Sequence, residues 1–257
     1  MMGVILGGDA RFCHLARKLL DAGYDVRTAG LPCCPGMELP RAEEEDVRRA
    51  DWCAVRSPGD GALLGLLPEG VRLIGCGPAR MGTATYDLTR DEDFLLQNAW
   101  LTAEAAVVRM AAGGKALTGA QVAVVGMGRI GRQLIGILRA MGAEVLAAST
   151  SIEKRAEARL MGCRTIDTGN LALALPQVDY LFSTPAHPVL GREELAACRP
   201  GVRIMDLASP PYGVDLAAAA ELGLDAVREG SLPGRYCPES AGEVLFRKLS
   251  AILRRWS

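Results

Sequence analysis

The sequence carries little that holds a metal ion. Its 257 residues contain two histidines, and its eight cysteines (Cys13, Cys33, Cys34, Cys53, Cys76, Cys163, Cys198 and Cys237) include no Cys-x-x-Cys pair. The neighbours Cys33 and Cys34 are not a ligand spacing either, so no metal site is expected. The thiols read instead as reduced, mostly buried, small apolar residues of a cytoplasmic protein. An excess of charge is missing too. With 29 basic and 30 acidic side chains the net charge is −1, which argues against nucleic acid or an anionic membrane as a partner. No apolar run approaches the roughly 20 residues of a membrane span. The opening Met1-Met2-Gly3-Val4-Ile5-Leu6-Gly7 is broken too soon for a signal peptide. Obvious acid–base residues are scarce, and no histidine follows His187.

Apolar content, by contrast, is ample. At 49% it supports sizeable cores, and the length suits one large domain or two smaller ones. The chain is organised around residues 122–131, four apolar residues running into Gly126-Met-Gly128-Arg129-Ile130-Gly131. A helical pattern follows at once, with Ile130, Leu134, Ile135, Ile137, Leu138 and Met141 on one stripe and Gly142 at the C-terminal cap. A second apolar run, 145–148, completes a βαβ unit of the dinucleotide-binding kind. In such a unit Gly126 allows the tight turn, Gly128 lets backbone approach a pyrophosphate, and Gly131 lets helix and strand pack closely. The helix N-terminus offers free N–H groups and a positive dipole end.

The same strand–turn–helix–Gly–strand plan occurs at the start. Val4-Ile5-Leu6 is followed by Gly7-Gly8-Asp9, a helix with Phe12, Leu15, Ala16, Leu19 and Leu20 on one face, Gly23, and the strand 25–29. The expected fold is therefore α/β, two Rossmann-like or flavodoxin-like parallel-sheet domains with a ligand cleft between them. The first half, 1–95, lacks Gly-x-Gly-x-x-Gly and should not hold a dinucleotide. The Rossmann half is 96–238 with a connecting helix, and a closing helix, 239–257, is expected to pack back on the first half. Asp9 and Arg11 stand at the end of the first strand, where open α/β sheets bind ligands, although Asp9 also suits a helix N-cap. Strands are expected at 52–55, 71–75, 178–182, 202–207 and 225–227. The loops 57–61 and 77–80 follow two of them. The acidic run 43–46 reads as a helix start. The connecting helix, 93–112, shows Phe94, Leu101, Ala105, Val108 and Ala112 at helical spacing and carries Asn98, Thr102 and Glu104.

The end of the second Rossmann strand decides the nucleotide. NAD sites usually place an acid about 20 residues past the first glycine. Here that point reads Leu-Ala-Ala-Ser149-Thr150-Ser151, with Lys154 and Arg155 one turn on. Hydroxyls and cations bind a 2′-phosphate that an acid would repel, so the expected cofactor is NADP, with NAD possible. Thr184 and Pro185, Asp206 and Pro233 complete the candidate cofactor-binding set.

Several phrases together resemble the A subunit family of dipicolinate synthase from spore-forming bacteria. They are Gly7-Gly8-Asp9-Ala10-Arg11, Asn98 with Thr102-Ala103-Glu104-Ala105, the 126–131 glycine motif, Asp206-Leu207-Ala208-Ser209, Leu232-Pro233-Gly234, and Pro238-Glu239-Ser240-Ala241-Gly242. The resemblance spans nearly the whole chain, which looks shorter than the family between residues 30 and 80. It implies an NADP-binding Rossmann domain paired with a smaller flavodoxin-like domain. It also implies a partner, the flavoprotein-like B subunit of dipicolinate synthase, and a role in making dipicolinate from a lysine-pathway intermediate in sporulation. A homo-oligomer is expected as well. Two positions depart from the family: Pro210 and Ser149 stand where arginines are common.

The implied reaction oxidises a dihydropyridine dicarboxylate to an aromatic pyridine, so the protein must position the ring and hold two carboxylates. The candidates are Arg11, Thr102 and Ser209, with Arg80 and Arg235 behind them. Glu104 is a candidate proton acceptor or an ion-pair partner that orients Arg11. His187 is a candidate base on a loop that equally suits a surface histidine. Two rivals stand beside this reading. A 2-hydroxyacid dehydrogenase would need an arginine where Pro210 stands and a later histidine. A nucleotide-binding regulatory or scaffolding subunit without its own turnover would suit the scarcity of acid–base groups.

Overall fold

The computed structural model describes residues 1–56, 63–76, 85–112 and 115–256. Arg80 and the loops 57–61 and 77–80 therefore lie outside the described residues. The chain divides into two compact units, Met1–Leu101 with Pro233–Ser257, and Thr102–Leu232.

The first unit runs β1 (Met2–Leu6), α1 (Ala10–Asp21), β2 (Asp25–Ala29), α2 (Glu44–Arg48), β3 (Trp52–Val55), β4 (Arg72–Gly75) and β5 (Thr85–Asp87), then enters α3 (Glu92–Ala111). Among the described residues its sheet has the order β2-β1-β3-β4-β5, all parallel, which is the flavodoxin-like arrangement. Period-two alternation sorts its side chains. Ile5, Trp52, Ala54 and Ile74 share one core with Phe12, Leu15 and Leu19 of α1, while Val4, Leu6, Cys53, Val55 and Leu73 share the other with Val47 of α2. A sheet apolar on both sides has to be covered on both, as parallel sheets are.

The second unit continues through β6 (Gln121–Val125), α4 (Arg129–Ala140), β7 (Glu144–Ala148), α5 (Ile152–Leu160), β8 (Arg164–Ile166), β9 (Tyr180–Ser183), α6 (Arg192–Ala196), β10 (Arg203–Asp206), α7 (Leu216–Glu221) and β11 (Asp225–Arg228). Its parallel order, β11-β10-β9-β6-β7-β8, is the Rossmann order read from the far edge. Gly131, Leu134, Ile135 and Leu138 form the buried stripe of α4. Met141, expected on that stripe, is instead the C-cap residue and 44% exposed, and Gly142 behind it takes φ +81°.

The last helices, α8 (Leu232–Tyr236) and α9 (Pro238–Trp256), return to the first unit. There α9 lies along α1. A Cβ on Gly242 would stand 2.5 Å from His14 Cβ and 2.9 Å from the Arg11 carbonyl, so only glycine permits the approach. Val244, Leu245, Leu249, Ile252 and Leu253 are buried, each contributing about 1.5–3 kcal/mol of transfer free energy. Along α3 the expected stripe is met in part: Phe94 and Ala105 are buried, but Val108 is 61% exposed, and the packed side also carries Ala99, Ala103, Ala106, Val107 and Met110. Alanine counts weakly in an apolar pattern, yet it allows closer approach than valine.

Candidate functional site

The turn from β6 into α4 gives each glycine of 126–131 a separate task. Gly126 takes φ +94°, and a Cβ there would press into Thr184 Oγ1 and stand 3.1 Å from the Pro185 ring. Gly131 has its missing Cβ against the Gly126 carbonyl, with the carbonyl carbon at 3.0 Å, so the helix sits directly on the turn. Gly128 differs: nothing lies within 4 Å of where its Cβ would be. It is the N-cap of α4 and supplies no side-chain cap, so no side chain covers the first-turn N–H groups at that position. Open space in front of an uncapped helix start fits a pyrophosphate. Arg129 is exposed and Ile130 half-buried beside it. Thr184 locks the turn to β9, its amide and hydroxyl both donating to the Val125 carbonyl at 3.0 Å. The Gly126 amide donates to Ala148 O at 2.9 Å, which brings in the end of β7. Gly126, Gly128, Arg129, Ile130, Gly131, Thr184 and Pro185 are thus brought together at the switch point of this sheet, where β6 and β9 part.

The 149–151 loop follows β7. Ser149 is buried, its hydroxyl accepting the Ser151 amide at 3.3 Å. Thr150 is exposed. Ser151 caps α5 by accepting the Lys154 amide at 3.1 Å and donates its hydroxyl to Glu153 at 2.6 Å. That bond, first of all, holds the Glu153 carboxyl below its usual range. Arg155, a candidate cofactor-binding cation, pairs with Asp167 at 2.6 Å and donates to the carbonyls of Ser149 and, at 3.0 Å, Thr150. Lys154 remains exposed.

Asp206 has no exposed surface, and its carboxylate is taken up within its own loop. Its Oδ1 accepts the Ala208 amide at 3.1 Å, and its Oδ2 accepts the Gly213 and Val214 amides at 3.3 Å and Arg228 Nε at 3.1 Å. The guanidinium of Arg228 also lies 3.7 Å from the centre of the Tyr212 ring and donates to Val214 O at 2.8 Å. Asp206 is therefore the organiser of the loop that presents Ser209 and Pro210 to solvent. An unsatisfied buried carboxylate would be costly, and this one accepts from four donors.

In the first unit, Arg11 grips Asp9 with two parallel bonds of 2.8 Å, Nε to Oδ1 and Nη2 to Oδ2, while the Asp9 side chain also accepts the Arg11 amide and caps α1. Within this unit Asp9 is thus an ion-pair partner of Arg11. Arg56, immediately after β3, approaches Asp9 Oδ2 at 3.9 Å. A Cβ on Gly234 would stand 2.5 Å from the Asp9 carboxyl carbon, so α8 rests on that carboxylate. Cys76, just past β4, belongs to the same edge. Burial raises its thiol pKa, Arg11 and Arg56 pull it down, and Asp87 adds to the rise. Two arginines and one carboxylate thus converge where β1 and β3 part, the ligand-binding edge of an open parallel sheet. Sequence reasoning missed Arg56; its place one residue after a strand was the available signal.

Other expected residues fall elsewhere. Thr102 is buried on α3, whereas Glu104, two residues on, is exposed on another side of that helix. Pro233 is buried in α8 and belongs to the first unit. Arg235 is exposed, its guanidinium 5.3 Å from the Tyr236 ring, and His187 is exposed. Of the cysteines Cys13, Cys53 and Cys163 are buried, while Cys33 is exposed. Among the described residues no cluster of three or more His, Cys, Asp or Glu is placed to hold a metal, and no helix is long and apolar enough to cross a membrane.

Residues 81–212 match the family described as D-isomer specific 2-hydroxyacid dehydrogenase, NAD binding domain. A curated relative, the A subunit of dipicolinate synthase of Bacillus subtilis (strain 168), is 33% identical over 135 residues, covering 52% of this chain and 46% of that protein. The aligned part spans about half the length of that relative. Two solved structures share the fold across nearly the whole chain. The dipicolinate synthase A subunit from Bacillus halodurans superposes with a TM-score of 0.84 at 24% identity, over 98% of this chain and 97% of that one. Its counterpart in the dipicolinate synthase from Bacillus subtilis does so with a TM-score of 0.80 at 23% identity, over 99% and 96%. The resemblance drawn from the sequence phrases is to these same proteins.

Proposed function

The chain belongs to the D-isomer specific 2-hydroxyacid dehydrogenase NAD-binding family, and on that premise we propose that it is an NADP-dependent dehydrogenase that works like the A subunit of dipicolinate synthase. Its substrate is a dihydrodipicolinate-type lysine-pathway intermediate, its product dipicolinate, its partner a flavoprotein-like B subunit, and its setting the cytoplasm of a sporulating cell. The observation that carries this reading is the convergence of three selective phrases on Arg11. Gly7 to Arg11, Leu232-Pro233-Gly234 and Ala241-Gly242 are distant in sequence, yet Gly234 packs on Asp9 and Gly242 on the Arg11 backbone. A dehydrogenase lacking a carboxylate-binding arginine at Pro210 needs its cations elsewhere, and Arg11 and Arg56 supply them.

The reaction removes one hydride and one proton from the ring, and aromatisation drives it. A bound nicotinamide supplies the hydride acceptor. The work of the protein is then to bind and orient. Gly126, Gly128 and Gly131, with Arg129, Ile130, Thr184 and Pro185, receive the dinucleotide; Ser149, Thr150 and Ser151, a loop with no acid of its own, receive its ribose end. Arg11, fixed by Asp9, and Arg56 hold carboxylates by charge-assisted hydrogen bonds. Ser209 is presented by the Asp206–Arg228 loop, Thr102 supports ring positioning, and water-exposed Glu104 accepts the proton.

The test is hydride transfer by the purified chain, with and without the B subunit, from dihydrodipicolinate to NADP⁺. Reduction of the nucleotide with formation of dipicolinate is the expected result. If NADPH binds but no pairing gives turnover, the chain is a nucleotide-binding scaffold and the enzyme reading fails.

A further inference from the structure

Two acids and two cations stand around the ribose end of the dinucleotide seat: Glu153 on the Ser151 hydroxyl, exposed Lys154, and the Arg155–Asp167 ion pair. The inference rests on the reading of the second unit as a nicotinamide dinucleotide site. In that fold the end of the second strand, here β7, is where the ribose 2′ position is recognised, and NAD sites place an acid there. None stands on the 149–151 loop. The structure brings one from the neighbouring strand: Asp167 follows β8, which pairs in parallel with β7. Its Oδ2 takes Arg155 at 2.6 Å, and its Oδ1 accepts the Gly169 amide at 3.0 Å, so the carboxylate is held from both sides. Arg155 is 18% exposed and is turned to the loop from beneath, donating to the carbonyls of Ser149 and Thr150. Asp167 keeps 39% of its side chain exposed.

We propose that the Asp167–Arg155 pair sets the choice between NADP and NAD. Asp167 is the acid of an NAD-type site delivered from the third strand instead of the second, and Arg155 neutralises it. With the pair intact, a 2′-phosphate meets hydroxyls and a guanidinium already shared with a carboxylate. Removing the carboxylate leaves the guanidinium free to bind phosphate. Removing the guanidinium leaves a lone carboxylate that repels phosphate and accepts a ribose hydroxyl.

The experiment is titration of the full chain with NADPH and with NADH, followed by nicotinamide fluorescence. The proteins are the natural one, Asp167→Asn, Arg155→Gln and the double variant. The ratio of NADPH to NADH affinity is expected to rise about tenfold in Asp167→Asn and to fall about tenfold in Arg155→Gln, the scale of one charge-assisted bond. The double variant, which leaves no charge of the pair without its partner, returns the ratio towards that of the natural protein and reads the coupling even where a single variant melts early. Equal losses for both nucleotides, with the ratio unmoved, would mean the pair only holds the loop and would overturn the proposal. Failure of the natural protein to bind either nucleotide would instead overturn the dinucleotide reading beneath it.

Discussion

Gly131 and Gly128 are three residues apart in one motif, and the structure predicts opposite consequences for changing them. In Gly131→Ala the new Cβ would stand 3.0 Å from the Gly126 carbonyl carbon and closer still to its oxygen. Ordinary carbon contacts begin at about 3.5 Å. Both partners are backbone, so α4 itself has to retreat. Overpacking of this kind costs about 1–3 kcal/mol. At a few degrees per kcal/mol that lowers the melting temperature by roughly 4 to 12 °C. The helix start moves with it, and a misplacement near 1 Å is worth about 100-fold in a positioned interaction. Gly128→Ser meets none of this. The site is extended, at φ −80° and ψ −166°, with nothing within 4 Å of the added atom. Serine is a good N-cap and stabilises by a few tenths of a kcal/mol over glycine. It also fills the space a pyrophosphate needs. Thermal melts with NADPH titrations therefore separate the two. Gly131→Ala should melt early and bind poorly, while Gly128→Ser should melt as late as the natural protein and bind at least about tenfold more weakly. Natural affinity in Gly128→Ser, or natural stability in Gly131→Ala, would refute the assignment.

Further outcomes follow from other residues. Asp206→Ala removes the acceptor of three amides and of Arg228 Nε, so it should cost about 3 kcal/mol in denaturant titrations and disorder the loop carrying Ser209. Arg11→Gln should raise KM for a dicarboxylate substrate by about tenfold or more while NADPH affinity holds, which steady-state kinetics and nucleotide titration read separately. Asp91 gives a pH signature. Burial pushes its carboxyl up, but the Tyr86 hydroxyl at 2.5 Å, the Phe94 amide and the Lys248 ammonium outweigh that and hold it below its usual range. A lowered carboxyl stabilises above its unfolded pKa, and that contribution is lost as pH falls through the folded value. Asp91→Asn should therefore be about 1–2 kcal/mol less stable near neutrality, with the gap closing below about pH 4.

Periodicity carried most of the fold. The strands 4–6, 52–55, 72–75 and 122–125 stood out because each holds a short apolar run closed by glycine or a polar turn, 25–29 because it repeats the strand–turn–helix–Gly–strand plan, and α1 and α4 because their buried stripes repeat at helical spacing. The short elements were not legible. β5 and β8 have three residues each, and α6 and α7 five and six, too few to establish a period. The site was lost in the same place. Asp167 comes directly after β8, so an unseen strand hid a carboxylate at its end. Arg228 ends β11 and is tied to Asp206 by the β10–β11 pairing, which a linear pattern does not express. The glycine motif was readable because its three residues are local. The choice of which charges are free was not, since Arg155 and Asp167 are joined only by strand order.

The stoichiometry of the reaction gives the most direct test of the proposed function. The chain, its B subunit, NADP⁺ and dihydrodipicolinate are mixed without oxygen, and NADPH and dipicolinate are measured together. One NADPH per dipicolinate, with neither formed when this chain is left out and both formed more slowly at limiting NADP⁺ when it carries Gly128→Ser, is the predicted result. Dipicolinate formed at the same rate without this chain, or without reduction of the nucleotide, would contradict it.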